Sequence, residues 1–156
     1  MKMPKPLSAD AALDYARDLC ARAEYAPYEV RQRLFRRGLP TADIDKIIDR
    51  LIDERYLDEE RFARAFSHSK VEYAGWGRRK IAAALAQKRI PAAIITDALA
   101  SIDPKIYIAR LQAVIAAARR RDPEPDTYQG RTRIFRHAAS RGFEPDIIAR
   151  LLSQNS

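Results

Sequence analysis

The stretch Ile44-Asp45-Lys46-Ile47-Ile48-Asp49-Arg50-Leu51 decides the fold class. Its apolar residues return at three- and four-residue steps with charges between them, the pattern of a helix that buries one face. The same spacing runs through Leu13, Ala16 and Leu19 upstream. Laid against itself, the chain repeats. Val30 and Leu34 correspond to Ile81 and Leu85 and then to Ile134 and Ala138, while Ile44, Ile47 and Ile48 correspond to Ile95, Ala98 and Leu99 and then to Ile148, Leu151 and Leu152. Apolar columns that keep one register through three copies define tandem units at residues 8–55, 56–102 and 103–156.

Each unit reads as three helices. They are expected at 8–24, 27–37 and 41–53, then 58–73, 77–89 and 91–101, then 103–121, 127–141 and 145–153. Ser8, Thr41, Asp58 and Asp103 are suited to N-cap positions, with Pro104 opening the helix after Asp103. Gly38 and Gly142, each preceded by an arginine, suit left-handed helix ends, and the arginine offsets the negative end of the dipole. The middle unit reads Lys88-Arg89-Ile90-Pro91, with no glycine in the turn and a proline that starts the next helix. The most loop-like stretch, Arg121–Asp126, is followed by a capping box from Asp126 to Gln129. One such unit has too little core alone. The expected architecture is therefore all-α, with three three-helix repeats stacked into an elongated, curved array suited to an extended partner.

Composition bounds the function. Against 21 acidic residues stand 29 lysines and arginines, a formal charge of +8 and a pI near 9.9, which favours an anionic partner such as nucleic acid. Cys20, the lone cysteine, excludes an internal disulfide and a thiolate zinc cluster, and fits a reducing, cytoplasmic setting. Met1–Leu7 lacks the apolar core of a signal peptide, and no apolar run reaches membrane-spanning length, so neither export nor a membrane is expected. His68 and His137 have no partners at ligand spacing, Cys20 has no evident base, and phosphate-loop and serine-elbow motifs are absent. No catalytic residue, metal or cofactor is expected, and the chain reads as a binding protein, not an enzyme.

Tyr56-Leu57-Asp58-Glu59-Glu60-Arg61-Phe62-Ala63, followed by Gly75-Trp76-Gly77-Arg78-Arg79-Lys80-Ile81 and Leu85, resembles the RecX family of regulatory proteins. Arg33, Leu34, Arg37, Gly38, Ile44, Ile48 and Leu51 extend the likeness into the first unit, and the third unit matches least. A monomer is expected, and the resemblance implies tandem three-helix units and a protein that lodges in the groove of a RecA filament on single-stranded DNA. There it would suppress ATP hydrolysis, strand exchange and co-protease activity. Trp76 inside the glycine loop and the missing glycine near Arg89 depart from the family pattern.

The motif has a structural account as well: Asp58 caps a helix, Glu59 and Glu60 favour its positive end, and Leu57, Phe62 and Phe66 enter the core. Arg61 follows the acidic pair and either forms an intrahelical pair or faces the partner. Arg78, Arg79, Lys80, Lys88 and Arg89 lie in a stretch free of acids, just after one crowded with them. Arg37, Lys88 and Arg141 are equivalent in the repeat, as are Arg78 with Arg131 and Lys80 with Arg133, so the charges form a candidate stripe. With Arg31 and Arg33 these are the candidate contacts to RecA or DNA. Dipole compensation accounts equally for the three helix-end charges. Arg78, Arg79 and Lys80 open a helix, where the dipole disfavours them, and so need another reason. Trp76 reads as a packing anchor between units more readily than as a ring that stacks on a base or wedges against the filament. Two rivals remain open: a free-standing basic helical DNA-binding protein, with duplex DNA as ligand, and a scaffold for another acidic protein.

Overall fold

The computed structural model describes residues 7–154. Met1–Pro6, most of the segment read above as lacking a signal peptide, lie outside the described residues, as do the last two residues of the third unit. Nine α-helices and no strand occur among the described residues: α1 (Ala9–Arg22), α2 (Pro27–Arg36), α3 (Thr41–Asp53), α4 (Glu59–Ser69), α5 (Arg78–Gln87), α6 (Ala92–Ala100), α7 (Pro104–Arg121), α8 (Tyr128–Ser140) and α9 (Pro145–Gln154). The chain forms two compact units. The first runs through Phe62 and takes in Lys88–Ile90; the second holds Ala63–Gln87 and everything from Pro91 onward.

Capping residues set the helix starts. Ser8 Oγ accepts the Ala11 amide at 3.2 Å, an Asp58 carboxylate oxygen accepts that of Arg61 at 2.9 Å, and an Asp103 oxygen accepts that of Lys105 at 2.8 Å. Two expectations shift by one residue. Pro40, not Thr41, occupies the cap of α3, because its extended backbone already offers the carbonyl that Ile44 bonds at 3.0 Å. Thr127, not Asp126, caps α8 and takes the Gly130 amide at 3.0 Å.

The repeat columns are buried. Val30, Ile81 and Ile134 line up at 0%, 0% and 1% exposure, and Leu34, Leu85 and Ala138 at 0%, 0% and 1%. Leu99 and Leu152 are only half-buried, whereas their counterpart Ile48 is enclosed. A column absent from the helical spacing joins these: Leu39, Ile90 and Phe143, one in each turn before the third helix of a unit, are all buried. In the first compact unit, Ala12 and Ala16 of α1 pack with Val30, Leu34, Ile44, Ile47, Ile48, Leu51 and Leu57. In the second, Tyr107, Leu111 and Ile115 of α7 are buried with Ile134, Phe143 and Ile148, and the Tyr107 and Phe143 rings lie 5.3 Å apart.

The fourth helix does not run unbroken to residue 73. It changes to a π-helical turn at Lys70–Ala74, closed by Gly75 in the left-handed conformation at φ 64°. Such turns often mark functional places in helices.

Candidate functional site

The twelve cations singled out by the sequence fall into two groups. Around α2, Arg31 pairs with Asp45 at 2.5 Å, and Arg33 and Arg37 lie over the rings of Tyr25 and Tyr15 at 5.1 and 5.4 Å. Lys88 donates to Glu29 at 2.8 Å, and Glu29 itself accepts the Ala26 amide at the start of α2. Arg89 rides over Tyr28 at 5.2 Å. Arg61 pairs with Glu24 at 2.7 Å and donates to the carbonyls of Arg55 and Tyr56 at 3.1 and 3.2 Å. Those carbonyls follow the end of α3, where Arg55 is left-handed at φ 63°, so Arg61 ties the α3–α4 turn to the residue beyond α1. The intrahelical pair expected for Arg61 does not form: its guanidinium is held by Glu24 and by two carbonyls that precede α4, all within the chain.

In the second unit, Arg78 pairs with Glu144 at 2.8 Å and lies over Tyr107 at 3.8 Å. The Tyr107 hydroxyl accepts the Arg78 amide and donates to Glu144. Burial, and then this bond to Glu144, pushes the Tyr107 phenol up. Glu144 stands in the chain where the first two repeats have Pro40 and Pro91, so a cap position has been converted into an acceptor for α5 and α7. The dipole cost of Arg78 at a helix start is thus met inside the chain. Arg133 forks onto Asp122 with two 2.9 Å bonds, which with the Glu124 amide hold that carboxylate down at about 2. Arg131 donates to the Asp126 carbonyl at 2.7 Å, and Arg141 to the Ala74 carbonyl at 2.6 Å. The helix-end charges expected to form a stripe are therefore each engaged locally, with Arg37 on a ring, Lys88 on a carboxylate and Arg141 on a carbonyl.

Arg79 and Lys80 differ from these. Among the described residues the exposed Arg79 side chain meets no partner, and Lys80 lies over the Trp76 ring at 4.5 Å with no carboxylate. Lys70, absent from the sequence-based candidates, lies over the same ring at 4.6 Å. Trp76 is half-buried and meets Phe66 edge-on at 6.4 Å, so it packs on a ring of its own unit and this contact does not make it an anchor between units. Arg64, Arg110, Arg120 and Arg136 are also exposed, with no ion pair or ring contact among the described residues; Arg64, Arg110 and Arg136 are single charges outside any run, whereas Arg120 lies in the run Arg119–Arg121.

Two open apolar grooves are lined by Tyr128, Phe135 and Leu152, about 510 Å³, and by Tyr28, Phe35 and Ile44, about 360 Å³. Neither lining holds a carboxylate, histidine or cysteine from which acid–base or nucleophilic chemistry could be built. Burial, reinforced by Glu24 and opposed by Arg61, raises the Cys20 thiol to about 11, which keeps it protonated near neutral pH. Among the described residues no group of three or more histidine, cysteine or acidic side chains could hold a metal, and no helix is long and apolar enough to cross a membrane.

Comparison with known proteins bears on what such a surface serves. Residues 12–51 match the family model described as RecX, first three-helix domain, and residues 58–99 match RecX, second three-helix domain. The chain is 33% identical over 142 residues to a regulatory protein RecX of Pseudomonas entomophila, spanning 88% of this chain and 87% of the relative. It is 30% identical over 155 residues to the RecX of Vibrio campbellii, spanning 98% and 94%. The crystal structure of RecX from Lactobacillus salivarius superposes with a TM-score of 0.83 at 20% identity, over 94% of this chain and 95% of that one, which shows a common fold. Paired three-helix family models, relatives matched over nearly their whole length and a common all-helical fold lead to one conclusion: this chain belongs to the RecX family of regulatory proteins.

Proposed function

We propose that the chain binds the RecA filament on single-stranded DNA and suppresses its ATP hydrolysis, strand exchange and co-protease activity. It acts in the cytoplasm as a monomer, by binding and not by catalysis. The observation that carries this reading is the near full-length match to RecX regulatory proteins. A formal charge of +8 supports an acidic filament surface, DNA phosphate or both as the counterpart. Its working parts are three tandem three-helix repeats at 8–55, 56–102 and 103–156.

Among the described residues, the candidate contact Arg79 has no partner, and Arg33, Lys80 and Arg89 lie on rings without a carboxylate. Moving a cation from a ring to a phosphate breaks no ion pair, so these four are best placed to engage the filament. Arg61, Arg78 and Arg133 would first have to leave a carboxylate. The test is RecA ATPase on single-stranded DNA under titration with this protein. Hydrolysis should fall, and Arg79→Glu with Lys80→Glu should weaken the effect while the helical circular dichroism stays intact. Unchanged hydrolysis at equal molarity, together with tight duplex binding without RecA, would point instead to a free-standing DNA-binding protein.

A further inference from the structure

We infer that the π-helical turn at Lys70–Ala74 and the start of α5 form a stacking platform for single-stranded nucleic acid, with Tyr73 taking a base and Lys70, Arg79 and Lys80 taking the phosphodiester. This deepens the filament reading by giving the single strand a place of contact. Two ammonium groups converge on one ring, with Lys70 and Lys80 lying 4.6 and 4.5 Å from the Trp76 centroid, and neither has an ion pair. Like charges gathered on one indole repel, and among the described residues no carboxylate pairs with either to offset that cost. Glu72, the acid within the turn, is half-buried and forms no ion pair with them. Arg79 adds a third unneutralised cation at the positive end of α5.

Beside these charges the turn exposes an aromatic ring. Tyr73 is 84% exposed, the most exposed large hydrophobic side chain among the described residues. Tyr73 lies within the π turn, where Val71 points inward at 1% exposure and Tyr73 points out. An exposed ring in the same turn as Lys70 and three residues before Trp76, on which two cations meet, is the chemistry of a single strand, whose bases stack and whose phosphates track a positive surface. An acidic protein would use the cations and leave the ring idle.

The test uses the whole chain without RecA. Trp76 is the only tryptophan, so its fluorescence reports directly from the platform. Titration with oligothymidylate should change that fluorescence saturably. Tyr73→Ala should weaken binding roughly five- to hundredfold, as loss of one stacked base does, and Tyr73→Phe should retain it. Arg79→Ala should flatten the slope of log affinity against log salt by about 0.7, one phosphate contact on a single strand. An abasic oligomer of equal length should bind the parent more weakly than oligothymidylate. No binding of oligothymidylate, equal binding by Tyr73→Ala, equal binding of the abasic oligomer, or equal competition by polyglutamate would each overturn the platform. RecA ATPase suppression is scored separately. Suppression kept by the parent while oligothymidylate fails to bind overturns the platform and leaves the filament reading standing.

Discussion

The turn between α8 and α9 and the turn between α5 and α6 hold the same place in the repeat, yet they end their helices differently. Gly142 sits at φ 97°, and a Cβ there would lie 2.4 Å from Lys80 Cβ and 2.5 Å from the Lys80 nitrogen. Arg89, its counterpart, takes φ 60° with a full side chain laid over Tyr28. A left-handed helix end alone costs a side chain roughly 1–2 kcal/mol, which a protein can tolerate. A left-handed end pressed against another backbone leaves no room for one. Close approach separates the two turns, since both need a positive φ.

Breaking the closer turn should give the largest effect. Gly142→Val adds a clash to the strain and should cost more than about 4 kcal/mol in denaturant melts; a loss below 1 kcal/mol would mean that the α5 and α8–α9 backbones separate readily. The helices that lead into the two turns, α5 and α8, should be anchored alike. Ile81→Ala and Ile134→Ala should each cost about 2–5 kcal/mol, and losses under half a kcal/mol at both would show that the columns bear no burial energy. Gly38→Ala isolates the conformational cost at φ 82° and should cost about 1–2 kcal/mol. The smallest effect should carry the opposite sign. Arg89→Gly relieves the strained φ but gives up the Tyr28 contact and adds chain entropy, so thermal melts should show a gain of less than about 1 kcal/mol. A clear loss would make the ring contact the stronger term.

Helical spacing made the fold readable, because burial of Val30, Ile81 and Ile134 follows directly from a period of 3.6 residues. The column Leu39, Ile90 and Phe143 escaped notice because these residues sit in turns, where that period is interrupted. The glycine missing before Ile90 was visible; that Arg89 itself would adopt the left-handed conformation was not, because sequence shows no tertiary crowding. The candidate site was legible as charge and obscure as contact. Arg78 finds Glu144, Lys88 finds Glu29 and Arg61 finds Glu24 across long sequence separations, and each pairing turns a candidate contact into a support of the fold. Tyr73 left no signal because the π turn that holds it has no pattern in residue spacing.

The close crossing at Gly77 also governs how α5 exchanges protons with solvent. The first amides of a helix are ordinarily orphaned and trade their hydrogens for deuterium quickly. Here the Gly77 amide donates to the Arg141 carbonyl at 2.8 Å and the Arg79 amide to the Gly142 carbonyl at 3.0 Å. Gly77 can make this approach because a Cβ there would lie 2.3 Å from the Gly142 carbonyl carbon. The front of α5 should therefore exchange as slowly as the interior of a helix, and open only when the α8–α9 turn lifts away.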